Sequence, residues 1–102
     1  MTFPEEVLDE IGYALHLAQE GEKHPSARVL RGFGGASVVE VIEPFDTDTY
    51  RAVYTVRFAD AVYVLHAFKR KSHQGARTPD ADMSVIRQRL KREEDAHKRG
   101  VR

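Results

Sequence analysis

The chain has 102 residues and a formal net charge of zero, with 41% hydrophobic and 31% charged residues. This length suits one small domain rather than two, and the composition is that of an ordinary globular protein. The sequence has no cysteine, which excludes disulfides and thiolate metal sites. It also has no signal peptide and no apolar run long enough to cross a membrane, so we predict a cytoplasmic protein.

The charges are divided unevenly between the two halves of the chain. Residues 1–50 hold three basic and ten acidic residues, a balance of −7, whereas residues 51–102 hold thirteen basic and six acidic residues, a balance of +7. Two opposed halves can present a basic face to an anion, or they can pair with each other. Charge counting leaves both interpretations open.

The first predicted element is a helix over residues 4–20. Pro4 suits the first turn and Gly21 is a plausible stop. Apolar residues follow at the three- and four-residue spacing of one helical stripe: Val7, Leu8, Ile11, Ala14, Leu15 and Ala18. Residues 23–31 are short and ambiguous, and we expect one more helical turn there. The glycines at 32, 34 and 35 then mark a loop.

Three strand-like runs come next, over residues 38–45, 49–58 and 61–69. Short turns at residues 46–48 and 59–60 separate them, which makes them antiparallel neighbours. Residues 72–77 are polar and predict an exposed loop.

The last predicted element is a helix with Thr78 as N-cap and Pro79 at its first position. Its apolar stripe is narrow and consists of Met83, Ile86 and Leu90. We expect the helix to fray after Glu94 and to leave residues 95–102 as a charged tail. The element order predicts a single α+β domain over residues 1–102, with a small antiparallel sheet of three or four strands, an N-terminal helix and a C-terminal helix.

Alternation along the second strand separates its two faces. Ala52, Tyr54, Val56 and Phe58 form the core-facing set, whereas the other set contains Arg51 and Arg57 and is predicted to be open. Arginine forks match phosphate oxygens, so an open face with two arginines points to nucleic acid. The third strand is apolar on both sides, so the direction of His66 stays open. Glu40 in the first strand could pair with Arg51 or face solvent.

Several motifs together resemble a known family. They are GFGG at residues 32–35, VEV at 39–41, TYRAVY at 49–54, YVLHAF at 63–68, RKS at 70–72 and TP at 78–79. In this order, over residues 28–92, they resemble the phage-derived HigB-like toxin family of the RelE/ParE superfamily. The resemblance implies the compact α+β RNase-toxin fold and the toxin of a type II toxin–antitoxin pair. It further implies a metal-independent endoribonuclease that cleaves mRNA on the ribosome, and a helix-turn-helix antitoxin as protein partner.

The resemblance also assigns residues. It places Arg51 near the scissile phosphate, and it places Arg70 and Lys71 on the family's basic pair, whose first member is usually lysine. Arg70 therefore departs from the family pattern. The sequence departs from it in two further ways: its net charge is neutral where the family is commonly basic, and the C-terminal tyrosine of the superfamily has no counterpart, since no tyrosine follows Tyr63.

Metal-free RNA cleavage needs a base for the 2′-OH, cations at the phosphate and an acid for the leaving oxygen. The residues predicted to be catalytic are Arg51, Lys71, His66 and Glu40. The residues predicted to contact RNA are Arg57, Lys69, Arg70, His73 and Arg77. We predict no metal and no nucleotide cofactor, because no H-x-x-x-H or H-E-x-x-H spacing occurs and the glycines precede a strand.

Other interpretations remain. Residues 69–71 could be a charged edge-strand cluster that blocks aggregation, and His66 could be a packed strand histidine. For the whole chain, the alternatives are a ParE-like toxin that binds gyrase without cleaving RNA, and an inactive phage-derived binding module.

Overall fold

The computed structural model describes residues 3–33, 38–58, 61–71 and 77–99, with the side chains of residues 57 and 58 outside the description. The elements are α1 (Glu5–Gln19), β1 (Ala27–Val29), β2 (Val38–Phe45), β3 (Asp48–Phe58), β4 (Ala61–Lys71) and α2 (Asp80–Lys98). The four strands form one antiparallel sheet in the order β1-β2-β3-β4. This arrangement confirms the predicted α+β fold.

Helix α1 packs on one face of the sheet, called here the α1 face. Its buried residues Val7, Ile11 and Ala14 contact a set of sheet side chains that includes Val41 and Tyr54. Burying side chains of the size of Val7 and Ile11 contributes about 1.5–3 kcal/mol each, and the smaller Ala14 contributes less. The predicted helix and the observed one differ by a single residue at each end.

Helix α2 covers the opposite face, called here the α2 face, so the prediction of an open sheet face is wrong. Ile86 and Leu90 are 0% and 6% exposed and pack on sheet residues that include Val53 and Phe68. The apolar stripe of α2 is narrow, but it lies over an apolar strip of the sheet. This contact is enough to pack the helix against the sheet. As a result, Arg51 is only 2% exposed.

Helix α2 also runs past Glu94, where the sequence predicted fraying, and continues through Lys98. Ala96 is buried in this last part, which holds the final turns against the rest of the chain. In the part of the chain that the structure describes, neither helix combines the length and apolarity needed to span a bilayer.

Strand β1 replaces the helical turn predicted within residues 23–31. It pairs with β2 through Ala27↔Val41 and Val29↔Val39. The Leu30 amide also donates to the Val38 carbonyl at 2.8 Å. Pairing with a neighbouring strand satisfies these backbone groups better than an isolated helical turn would, so tertiary contacts override the local preference.

A β-bulge in β4 resolves the direction of His66. Val53 pairs with His66 while Tyr54 pairs with Val64, so Leu65 is an extra residue between the two pairs. The bulge shifts the alternation: Val64 lies on the α1 face, whereas His66 lies on the α2 face. Simple alternation without a bulge would have placed Val64 and His66 on the same face. The predicted turn at residues 59–60 and all but the last residue of the predicted loop at 72–77 lie outside the described residues.

Candidate functional site

A buried carboxylate lies at the centre of the α2 face. Glu40 is 0% exposed, and its Oε1 accepts hydrogen bonds from Arg28 Nε at 3.2 Å and Arg28 Nη2 at 2.9 Å. The Thr78 hydroxyl donates to Oε2 at 3.0 Å, and Arg51 Nη1 lies 3.5 Å from Oε1. The Glu40–Arg51 pair left open by the sequence is therefore present, and Arg28 joins it.

The electrostatics of Arg51 follow from this crowding. Burial lowers the pKa of its guanidinium, Glu40 acts in the opposite direction, and the neighbouring cations Arg28 and Arg70 lower the pKa further. Three guanidinium groups thus share the field of one buried carboxylate, which leaves a local excess of positive charge.

The two predicted lysines lie on the other face. Lys69 pairs in register with Tyr50, whose side chain belongs to the core under α1. Asp48 lies between the two ammonium groups, with its carboxylate oxygens 3.7 Å from Lys69 Nζ and 3.3 Å from Lys71 Nζ. The structure therefore does not bring Lys71 together with Arg51.

His66 is held by helix α2. Its Nε2 lies 2.7 Å from Asp82 Oδ1, and Arg89 Nη1 lies 3.5 Å from its Nδ1. Arginine can only donate, so Nδ1 accepts and Nε2 carries the proton toward Asp82. Arg89 also donates to the Leu65 carbonyl at 2.8 Å, which ties α2 to the bulge. Both ring nitrogens of His66 are thus occupied within the protein.

A cavity of about 590 Å³ opens between β1 and the beginning of α2. Four arginines line it: Arg28, Arg31, Arg77 and Arg87. Arg28 bonds Glu40, and Arg77 pairs with Asp80 at 2.8 Å. Among the described residues, no carboxylate lies within ion-pair distance of Arg31 or Arg87. The arginine cavity therefore keeps an excess of about two positive charges.

An aromatic ring adjoins the arginine cavity. The Arg87 guanidinium lies 5.7 Å from the centroid of the Phe33 ring. Gly32, with φ of +98°, brings this loop close to α2, since a Cβ there would lie 3.4 Å from Arg87 Nη2 and 3.6 Å from Met83 Cε. A side chain at residue 32 would strain both the backbone and this contact.

The sequence of the chain also matches a known protein family. The sequence model of the family described as "Phage derived protein Gp49-like (DUF891)" matches residues 1–91. The chain belongs to the Gp49-like family. This family lies in the RelE/HigB-like toxin group of toxin–antitoxin systems, so the chain is consistent with a toxin whose partner is an antitoxin. No curated protein and no solved structure matches the chain.

The sequence of this Gp49-like chain identified only part of the site. Glu40, Arg51, His66 and Arg70 lie on the α2 face as a group, and Arg77 lines the cavity. The Arg57 side chain and His73 lie outside the described residues.

Three cavity arginines were missed: Arg28, Arg31 and Arg87. The first two are three residues apart in the segment predicted to form a helical turn, and the third is one of many charges in the last helix. Only the pairing of β1 with β2 and the seating of α2 bring them together, so no local signal marks them.

A second polar cluster lies elsewhere, where Glu10, His24 and Glu43 place one ligand atom each within 4.8 Å of one another. The Ser26 amide donates to His24 Nδ1 at 2.9 Å, so a neutral ring carries its proton on Nε2. That proton points to Glu10 Oε2, 2.9 Å away. A metal bound at either ring nitrogen would have to displace one of these bonds. The bonds account for His24 and Glu10 but not for Glu43, whose Oε1 is buried without a hydrogen-bond partner among the described residues.

Proposed function

We propose that this Gp49-like protein is the toxin of a type II toxin–antitoxin pair, of the HigB type, and that it cleaves mRNA on the ribosome without a metal. The observation that carries the proposal is the arginine cavity beside the buried Glu40–Arg51 pair. Family membership supports the toxin class. The proposed function requires the cytoplasm as its compartment and a protein antitoxin, of the helix-turn-helix type, as its partner.

The cavity supplies what phosphate binding requires. Arg28 is 41% exposed at its side chain and is held by Glu40, so a single guanidinium links the buried pair to the cavity. A phosphate in the cavity would meet Arg28 together with Arg31 and Arg87, and fixed cations of this kind stabilise the developing negative charge of the transition state. In this conformation Glu40 and Arg51 act as positioning residues for Arg28.

The proton transfers require a conformational step. Glu40 lies under Thr78, and His66 is engaged by Asp82 and Arg89. Neither can accept the 2′-OH proton until the beginning of α2 moves off the sheet. We therefore propose that the ribosome-bound form is the active one, with α2 displaced at its first turn.

The proposed site also differs from the sequence prediction in the cation at the end of β4. Arg70 replaces Lys71 as the strand-end cation of the site, because Arg70 shares the α2 face with Arg51 and also donates to the Arg77 carbonyl at the cavity. Lys71 is assigned no role.

The engaged state of Glu40 and His66 favours one second candidate. A ParE-like toxin that binds gyrase and cleaves nothing would use the same cations for protein contacts and would need no free base.

Induced expression in a bacterial host separates the two functions. For the proposed RNase we expect growth arrest with fragmented mRNA, relieved in the double variant R31A/R87A and retained in R92A, an exposed arginine elsewhere on α2. Arrest with intact mRNA and a loss of DNA supercoiling would establish the gyrase alternative. Absence of arrest would contradict both toxins and leave a binding module.

A further inference from the structure

We infer that the outward face of helix α1 docks on the arginine cavity of a second copy of the chain, so that the protein associates with itself and covers its own cavity. The outward face of α1 consists here of Glu5, Glu6, Leu8, Asp9, Gly12 and Tyr13. The association does not depend on the proposed function. Only its consequence does, namely that the covered cavity is the RNA site.

Apolar side chains and a glycine make this helix face suitable for a close contact. Leu8 and Tyr13 are 51% and 52% exposed. Gly12 lies between them in the helix interior, where glycine costs about 1 kcal/mol relative to alanine. Outside the backbone of α1, no described atom lies within 4 Å of the position that a Gly12 Cβ would take. Packing among the described residues therefore does not require the glycine, whereas close approach of another molecule would.

The charges of the face indicate what kind of partner fits. Glu5, Glu6 and Asp9 are exposed, and no cation lies within ion-pair distance of them among the described residues. Three uncompensated carboxylates repel the phosphates of a nucleic acid. The partner is therefore a cationic protein surface with apolar side chains of its own.

The chain itself carries such a surface at the arginine cavity. Within the described part of the chain, its Arg31 and Arg87 have no carboxylate partner. Val29 also lines the cavity and is 58% exposed, so it offers an apolar contact to Leu8. The carboxylates of one copy would pair with the guanidinium groups of the next. A net charge of zero leaves no overall repulsion between copies.

The contact has to form between two copies. Helix α1 and helix α2 pack on opposite faces of the sheet, so α1 cannot reach the cavity of its own chain. The contact is also heterologous, because it joins two different surfaces, and such contacts either close into a ring or continue from copy to copy. A cavity inside such an assembly is covered, so we expect a uridine hexanucleotide to compete with association.

Light scattering at increasing protein concentration measures the association. We expect a mass above the 11.6 kDa of one chain, falling toward that value in 1 M NaCl, where the screening length is about 3 Å. The charge reversals E5K/D9K and R31E/R87E should each raise the dissociation constant about tenfold or more. The control R92E/K98E has the same net charge as R31E/R87E and reverses exposed cations elsewhere on α2, so it should change the constant less than about threefold.

An equimolar mixture of E5K/D9K and R31E/R87E is the most specific arm of this test. Each variant alone opposes like charges across the contact, whereas the mixture restores opposite charges at it. The mixture should therefore associate. A mixture that stays monomeric, or an unaltered chain that is monomeric at every concentration, would overturn the inference.

Gly12→Gln keeps the test valid if a charge reversal does not fold. Glutamine has a higher helix propensity than glycine, and its side chain points into open space, so G12Q should fold at least as well as the unaltered chain. It should nevertheless raise the dissociation constant about tenfold, because it blocks the close approach. Undiminished association of G12Q would contradict the contact at α1.

Cross-linking identifies the two surfaces directly, since the chain has no cysteine of its own. Chains carrying Leu8→Cys and chains carrying Val29→Cys, mixed and oxidised, should form a disulfide-linked pair. The matched control mixes L8C with V64C, since Val64 is 52% exposed but lies in β4, outside the contact. Equal cross-linking of L8C to V29C and to V64C would overturn the inference.

These assays contain neither mRNA nor ribosomes, so their outcome is separate from that of the proposed function. A chain that associates as expected but cleaves no mRNA would contradict the nuclease proposal alone. A chain that cleaves mRNA and remains monomeric would contradict only the self-association.

Discussion

At the scale of single residues, Glu40 decides the chemistry of the α2 face. A fully buried carboxylate is stable only when its charge is compensated and its oxygens are hydrogen-bonded. Arg28, Arg51 and Thr78 provide this compensation. The reverse also holds, because Arg51 depends on Glu40 for its own countercharge.

Replacing Glu40 by leucine should therefore cost about 3–5 kcal/mol in the free energy of unfolding, since it leaves the Arg51 charge buried without a carboxylate. The double variant E40L/R51L should cost less than the single variant E40L. Urea unfolding of both variants measures this. A cost below about 1 kcal/mol for E40L would show that the pair does not hold Arg51 in place.

A second residue-scale prediction concerns Tyr54, which is 1% exposed and whose hydroxyl has no hydrogen-bond partner within the described residues. Tyr54→Phe should raise the free energy of unfolding by about 1 kcal/mol, because it removes an unsatisfied buried polar group. Tyr13→Phe is the control, since Tyr13 is half exposed.

The same residue gives a dependence on pH. Burial raises the pKa of Tyr54 above its ordinary value of 10.0, so the folded chain holds the phenol proton more tightly than the unfolded chain. The tighter hold on this proton makes a contribution to the free energy of unfolding that is fully present below pH 10. That contribution is lost as the pH rises through the folded-state pKa of Tyr54. Chemical unfolding measured at increasing alkaline pH should show this loss in the unaltered chain and a smaller loss in Y54F.

At the scale of secondary-structure elements, the seating of α2 is what converts an open basic face into a narrow cavity. Among the described residues, only a few apolar side chains hold the helix, chiefly Ile86 and Leu90, supported by the bonds from Thr78 and Asp82 to the sheet. A helix held by so few contacts is a suitable element to move when a substrate binds.

Ile86→Ala should lower the free energy of unfolding by about 2–5 kcal/mol, because the side chain is fully buried and its loss leaves a void under α2. Arg92→Ala, on the exposed side of the same helix, should change stability by less than about 0.5 kcal/mol. Thermal unfolding of I86A and R92A tests these two predictions. Equal effects would mean that α2 does not pack on the sheet.

The elements differ in how well the sequence predicted them. The bounds of β2 agree with prediction, and those of β3 differ by one residue, because long alternating runs of β-branched and aromatic residues are a strong signal. β1 has only three residues and no pattern of its own, so only its pairing reveals it. The face of His66 could not be predicted either, because one extra residue at Leu65 reverses the alternation.

At the scale of the whole molecule, both interpretations of the divided charge hold in different places. Cations of the second half pair with acids of the first, as Lys71 does with Asp48 and Arg51 with Glu40. The arginine cavity joins residues from both halves and keeps its positive excess. A neutral total charge is therefore compatible with a local anion site, and this could not be predicted by counting.

The adjacent residues Arg70 and Lys71 test the central claim most directly, because the strand places them on opposite faces. Cleavage of ribosome-bound mRNA by the purified chain, followed by primer extension, should fall about 100-fold in R70A and less than about threefold in K71A. Circular dichroism of both variants would confirm that they fold. A larger loss in K71A than in R70A, or no cleavage by the unaltered chain, would contradict an RNase site on the α2 face.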